Sequence, residues 1–393
     1  MSTINFATDA APDFDPTQFR RDFPPLSNMT HLASCSQGAL STQVSYSLLE
    51  IVGSLQTSAA PWDVWVGKVE QARADFARLI NADPSEIAIV NSASEGAYQV
   101  VSSFAWTSRT GIVTSAVEFP SVGHVLRAQQ AQGATIKMVS DRSDALEVPA
   151  WEKLIDESTA LVSAPLVSYH DGARPPLAEI TELAHKAGAR MFVDAYQGAG
   201  VVPIDVKAMD CDYLVAGSLK YMLGLAGVAF LYVKDGIDSE RAAELTGWFG
   251  RVNPFAFDPE LVDYPTDARR FEVGTPAIPA VYAAIAGMGL LLRVDQAAGF
   301  AHVLRLGDRL AAGAAEHGFK VSRSDNSERH GPQVAIFADD PNELGAWLNE
   351  RGIMTAPRGE LLRMSLHYYT TDADIDTAIA ALAEYRSVEG GRG

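Results

Sequence analysis

This sequence is short of cysteine, of positive charge and of long apolar runs, and each shortage closes off a class of function. Its two cysteines, Cys35 and Cys211, stand far apart and in no spacing that suits a metal. Neither a zinc module nor a disulfide scaffold is expected, and two reduced thiols fit a reducing compartment. Lys and Arg number 31 against 49 Asp and Glu, a net charge of −18. That balance disfavours nucleic acid, whose binding needs clustered cations; by itself the acidity promotes solubility. No apolar run approaches the roughly 20 residues of a membrane-spanning helix. The opening MSTINFATDAAPDFDPTQF carries acids and lacks the apolar centre of a secretory signal. A cytoplasmic protein with neither a membrane nor a nucleic-acid partner is the expectation. No G-x-G-x-x-G opens the first strand–helix unit, which discounts a NAD-dependent oxidoreductase. Internal repeats are missing too, and the terminal EGGRG is the one low-complexity stretch.

What is present has a regular rhythm. The 393 residues are 47% hydrophobic and 20% charged, an ordinary globular balance with length for more than one domain. Strand-like apolar runs occupy 87–90, 112–117, 136–139, 161–168, 191–193, 213–216 and 228–233. Most are separated by helix-length segments such as 95–104, 122–132 and 177–187. Alternation of this kind predicts an α/β domain, a mostly parallel seven-stranded sheet between two layers of helices. The last two strands are joined by a short Gly-rich connection, so the final one is expected to run antiparallel. Ahead of the sheet, a short helix is expected near 16–22 and longer ones over 43–55 and 64–80. In the last of these, Val66, Val69, Phe76, Leu79 and Ile80 recur near the helical period. Past Lys234 comes a long polar and aromatic loop over 251–270, then amphipathic helices over 278–293 and 301–316, then mixed short elements. The expected division is an N-terminal segment 1–30 packed near the site, a large domain 31–260 and a small C-terminal α+β domain 261–393.

The chain is organised around residues 190–233. Met191 to Val193 is an apolar run ending in Asp194, and Tyr213 to Ala216 is a second, followed by Gly217-Ser218-Leu219-Lys220. Asp194 and Lys220 therefore both stand just past the C-terminal ends of strands, the edge where open α/β sheets bind ligands. A lone Lys there is normally a solvated charge, and a lone Asp a helix cap. The pair is more specific. Pyridoxal 5'-phosphate (PLP) needs a Lys for its Schiff base and an acid against its pyridinium nitrogen. Asn91 to Gly96 follows a strand and opens a helix, so its backbone N–H groups and Ser hydroxyls suit a phosphate or simply cap that helix.

These motifs resemble the class V aminotransferase and cysteine desulfurase branch of the fold-type-I PLP enzymes. Val193-Asp194-Ala195-Tyr196-Gln197 followed by Lys220 is similar to that family's V-D-x-x-Q…K, and Arg270-Phe271-Glu272-Val273-Gly274-Thr275-Pro276 to its R-F-E-x-G-T-P. The likeness runs from about Leu32 to Tyr385. It implies that Lys220 carries PLP and Asp194 faces the ring nitrogen. Ala93 and Ser94 would bind the phosphate with help from Ser218, Phe119 would stack on the ring, and Gln197 would meet the phenolic oxygen. Arg363, within Leu362-Arg363-Met364-Ser365, would grip the substrate carboxylate, for which a bidentate guanidinium is suited. Tyr169 stands where the family has Asn, and it and His170 beside it are candidate substrate contacts. Thr275, with Gly274, would reach the phosphate of a partner subunit, which implies a homodimer.

The resemblance leaves the reaction open. An aminotransferase acting on an α-amino acid is preferred. A C–S or selenocysteine lyase, a kynureninase-like enzyme and an epimerase are alternatives, and a catalytically silent binding protein a distant one. Cysteine desulfurases place His where this chain has Phe119. They also carry a nucleophilic Cys in a loop that here reads Gly352-Ile353-Met354-Thr355-Ala356-Pro357-Arg358-Gly359; Cys35 is a weak substitute. Trp248 and the Trp62/Trp65 pair suggest an aromatic-lined pocket or plain core packing.

Overall fold

The computed structural model describes residues 14–390, so the start of the N-terminal segment and the end of the EGGRG tail lie outside the described residues. The chain opens with α1 (Pro16–Arg20), the two-residue strand β1 (Thr30–His31), and helices α2 (Thr42–Thr57) and α3 (Trp62–Leu79). Strands and helices then alternate: β2 (Ile87–Val90), α4 (Ala93–Ser102), β3 (Gly111–Ser115), α5 (Pro120–Ala128), β4 (Thr135–Val139), α6 (Val148–Glu152), β5 (Thr159–Pro165), α7 (Leu177–Lys186), β6 (Arg190–Asp194), α8 (Val206–Met209), β7 (Tyr213–Gly217) and β8 (Ala229–Val233). After the loop come α9 (Ile278–Leu291), α10 (Gln296–Glu316), β9 (Val321–Ser322), β10 (Gln333–Phe337), α11 (Pro341–Glu350), β11 (Ile353–Met354), β12 (Ala356–Arg358), β13 (Leu361–Ser365) and α12 (Asp372–Gly390).

Seven strands form the main sheet in the order β2-β8-β7-β6-β5-β3-β4. Only β8 runs against its neighbours, as the short connection from β7 predicts. Side chains alternate across a strand, and the sheet's two faces sort accordingly. Ile87, Ile89, Val193, Leu214 and Phe230 join one apolar cluster; Ala88, Val90, Phe192, Val215 and Leu231 join the other. Phe76 of α3 stacks on Phe230 with ring centroids 4.6 Å apart, while Ala97 and Val100 of α4 cover the opposite face. A buried aromatic of this kind carries about 3–5 kcal/mol against truncation. Strands buried on both faces read as unbroken apolar runs, which is why these were visible in the sequence.

β2, β3, β6 and β7 all point the same way, so their C-terminal ends share one edge. The N-terminus of α4, Phe119, Asp194 and the turn to Lys220 meet there. Local signals hold these junctions: the Ser92 side chain accepts the Glu95 N–H at 3.1 Å to cap α4, and Pro120 occupies the first turn of α5.

The second body is a four-stranded antiparallel sheet, β12-β13-β10-β9, covered by α10 and α11, with α12 packed on those two helices and on β1. The segment after α1 joins this body: β1 pairs in parallel with β11, and Phe23 packs on Tyr369 with centroids 4.9 Å apart. Helix α9 packs on α2 and α3 instead, and the chain turns by 84° between α9 and α10. The change of packing partner falls between these helices. Being apolar all round, α9 suits a buried position. Among the described residues no single helix is long and apolar enough to cross a membrane. The 251–270 stretch forms only short 3-10 turns.

Candidate active site

Lys220 leaves β7 through a turn held from both sides. The Ser218 hydroxyl donates to the Leu225 carbonyl, and the Leu223 N–H donates to the Lys220 carbonyl at 3.1 Å. The buried Ser218 hydroxyl thus closes the lysine turn. The Gly38 N–H donates to the Leu219 carbonyl at 3.1 Å. A Cβ at Gly38 would stand 2.4 Å from the Lys220 carbonyl oxygen, so only glycine lets the 33–40 segment lie against this turn.

The half-buried Lys220 Nζ sits 4.5 Å from the Tyr196 ring centroid and 5.3 Å from that of Phe119. Burial brings its amine down to about 8; Asp194 opposes the fall, and Arg363 and Arg358 add to it. Asp194 is 5% exposed and takes the Tyr196 N–H on Oδ1 at 2.9 Å. Burial raises its carboxyl, against that N–H and the Lys220 charge. Tyr196 was not singled out by sequence; its place between Asp194 and Gln197 was the available signal.

Gln197 is buried and its Nε2 donates to the Cys35 carbonyl at 3.2 Å, while Oε1 has no partner among the described residues. Cys35 is itself buried, its N–H on Ser365 Oγ at 2.8 Å. Ser94 is half-buried at the α4 N-terminus, and its hydroxyl makes no hydrogen bond among the described residues.

Arg363 of β13 is 2% exposed. Its Nε donates to the Ala356 carbonyl at 3.0 Å and its Nη1 to the Tyr169 carbonyl at 2.7 Å. No carboxylate pairs with it among the described residues. A buried cation without an anion is costly, and this one lines a cavity of about 560 Å³ with His31, Gln37, Gly38 and Arg358. Tyr169 therefore meets Arg363 through its backbone, and its ring stands edge-on to Phe119 at 5.2 Å. His170 departs from its expected place. Its buried Nε2 lies 3.3 Å from Glu360 Oε1, and its carbonyl takes the Gln333 amide at 3.2 Å. It joins the two bodies and does not line the Arg363 cavity.

Gly274 and Thr275 are exposed. They follow Glu272, whose Oε1 takes Arg73 Nη1 at 2.7 Å and the Ile89 N–H at 2.8 Å. This buried pair fixes the stretch to α3 and β2, an anchor invisible in sequence. Trp248 meets Trp62 at 5.5 Å and Phe257 at 6.0 Å. The cavity that Trp248 and Phe257 line shares no residue with the Arg363 cavity. Another cavity, of about 520 Å³, opens at the opposite sheet edge, beside Arg190 and Asp212.

The donor set fits pyridoxal phosphate. An amine of lowered basicity, a buried carboxylate with an oxygen to spare, an unpartnered buried amide oxygen and a helix N-terminus with a free hydroxyl converge on one edge.

The family profile "Aminotransferase class-V" matches residues 65–377. The uncharacterized aminotransferase YcbU of Bacillus subtilis (strain 168) is 36% identical over 368 residues, 94% of this chain and 97% of that protein. A probable cysteine desulfurase of Synechocystis sp. is 28% identical, over 84% of this chain and 82% of its own. A solved C-DES mutant with glycine covalently linked to the PLP cofactor has a TM-score of 0.86 at 23% identity, covering 95% of this chain and 100% of the other; at that identity the likeness concerns the fold. By the extent of the profile match and the near full-length relative, the chain belongs to the class V aminotransferase family, whose members are PLP-dependent enzymes.

Proposed function

We propose that this protein is a PLP-dependent aminotransferase acting on an α-amino acid. The observation that carries the reading is the arrangement of Lys220, Asp194 and an unpaired buried Arg363 about one sheet edge. Bound pyridoxal phosphate supplies an electron sink for carbanion chemistry at the amino acid's Cα. Lys220, with its amine at about 8, keeps roughly one in ten of its molecules neutral at pH 7. That neutral Nζ would be the group that holds the cofactor aldehyde, and it is placed to serve as a base for the substrate's Cα proton. The Asp194 carboxylate would keep a proton on the ring nitrogen, and Gln197 would meet the phenolic oxygen. The α4 N-terminus and Ser94 receive the phosphate, and Phe119 and Tyr196 shield the amine from water. Arg363 orients the substrate through its carboxylate. Gly274 and Thr275 serve the phosphate of a second copy, so the working unit is a homodimer. Transamination is preferred over desulfuration because the 352–359 loop has no Cys and the 36% identical relative is named an aminotransferase.

The test is to load the protein with PLP and add amino acids one at a time without a keto-acid acceptor. Stoichiometric 2-oxo acid with loss of the cofactor's visible band is the expected result. Continuous release of pyruvate, alanine or a sulfur species would mean a lyase. No visible band in the wild type would defeat the whole reading.

A further inference from the structure

The chemistry above leaves one buried acid unused. Glu118 follows β3, is 6% exposed, and has no cation paired with it among the described residues. Its two oxygens are held by neutral donors: Oε1 by the Phe119 N–H and Oε2 by Ser163 Oγ, both at 2.9 Å. We infer that Glu118 is a positioning residue, held as the neutral acid against Asp194, which confines the floor of the site to one negative charge. The inference rests on the reading of Asp194 as partner of the cofactor's ring nitrogen.

The sheet register supports it. Ser163 of β5 pairs with Phe192 of β6, and Pro165 pairs with Asp194. Residues two apart on a strand share a face, and in-register neighbours point the same way. Ser163 and Asp194 therefore lie on one face, and the Ser163 hydroxyl draws Glu118 onto that face beside Asp194. Two carboxyls in a dry space do not both ionise at neutral pH. Asp194 has compensation from the Tyr196 N–H and from Lys220. Glu118 has only the two neutral donors, so the proton stays with it. Burial first, then the Asp194 charge, pushes its carboxyl up to about 8.

The groups facing the pair are few. Lys220 reaches Asp194 from the β7 turn, and the Tyr196 and Phe119 rings flank that amine. Near neutrality, then, the ring nitrogen meets a single anion. Above about pH 8 a second charge appears beside it. That charge favours protonation of the nitrogens around the cofactor and delays their alkaline titration. The Phe119 N–H bond adds a second effect, since Glu118 also fixes the residue whose ring lies beside the amine.

The experiment titrates the visible band of the PLP-loaded protein from pH 6 to 10 for wild type, Glu118→Gln and Ser163→Ala, and the melting temperature of each apo protein over the same range. Glu118→Gln copies the neutral acid. It should match the wild-type spectrum at pH 7 and show its alkaline transition at lower pH than the wild type, because no second charge arises near pH 8 to delay it. Ser163→Ala removes a donor that favours the charged form, so that charge arises later and the alkaline transition should move toward that of Glu118→Gln. In the apo protein, a carboxyl raised by folding destabilises as pH climbs toward its folded value. The wild type should therefore lose stability relative to Glu118→Gln between pH 6 and 9. A loaded Glu118→Gln protein with an unchanged transition, or apo curves that run parallel, would overturn the inference. If the wild type forms no visible band, the cofactor reading fails separately, and the apo curves still decide the state of Glu118.

Discussion

Replacing Arg363 with Ala tests the site most directly. A guanidinium has five N–H donors, and here two are committed to the Ala356 and Tyr169 carbonyls. Three remain, enough for a bidentate carboxylate. Hydrogen bonds to charged groups are each worth about 1.5–3 kcal/mol. Losing two costs about 3–6 kcal/mol, or roughly 10²- to 10⁴-fold in kcat/KM. The assay compares kcat/KM for the best amino acid with that for the amine lacking its carboxylate. Wild type should prefer the acid strongly, and Arg363→Ala should lose most of that preference while its rate on the amine changes little. Arg363→Lys keeps the charge without the planar fork and should recover only part of the loss. The two freed carbonyls cost stability, so melting curves without substrate separate misfolding from lost recognition. A folded Arg363→Ala protein within tenfold of wild type on the acid would refute the assignment and turn attention to Arg358, which lines the same cavity.

Two further outcomes follow from the same geometry. Because burial brings Lys220 to about 8, the rate of PLP attachment to the apo protein should climb with pH as the amine deprotonates and level off just above that value. A rate still rising toward pH 10 would mean an unperturbed amine. Glu272→Ala leaves the Arg73 guanidinium buried beside an emptied site and strips the Ile89 N–H of its acceptor, which should cost about 3–5 kcal/mol. Glu70, half exposed, offsets little of this. Urea unfolding should show the loss, and an unchanged midpoint would mean that the pair is not closed in solution.

The sequence by itself determined what is local. Seven apolar runs became seven strands because a strand buried on both faces must be apolar throughout, and the short Gly-containing link from β7 allowed only an antiparallel β8. Asp194 and Lys220 were legible because each follows its own strand directly, and parallel strands end on a common edge. What sequence could not supply were contacts between residues far apart in the chain. The Arg73–Glu272 pair joins α3 to the loop before α9. Ser163 of β5 draws Glu118 to the face that Asp194 shares only because β5 lies between β3 and β6 in the sheet. The neighbour of His170, Glu360, likewise arrives from the other body. In the same way α9 and α10 follow one another directly in the chain, and only packing assigns one to α2 and α3 and the other to α12. Periodicity and turn chemistry act over a few residues, whereas strand order and the burial of charge are set by the whole chain at once.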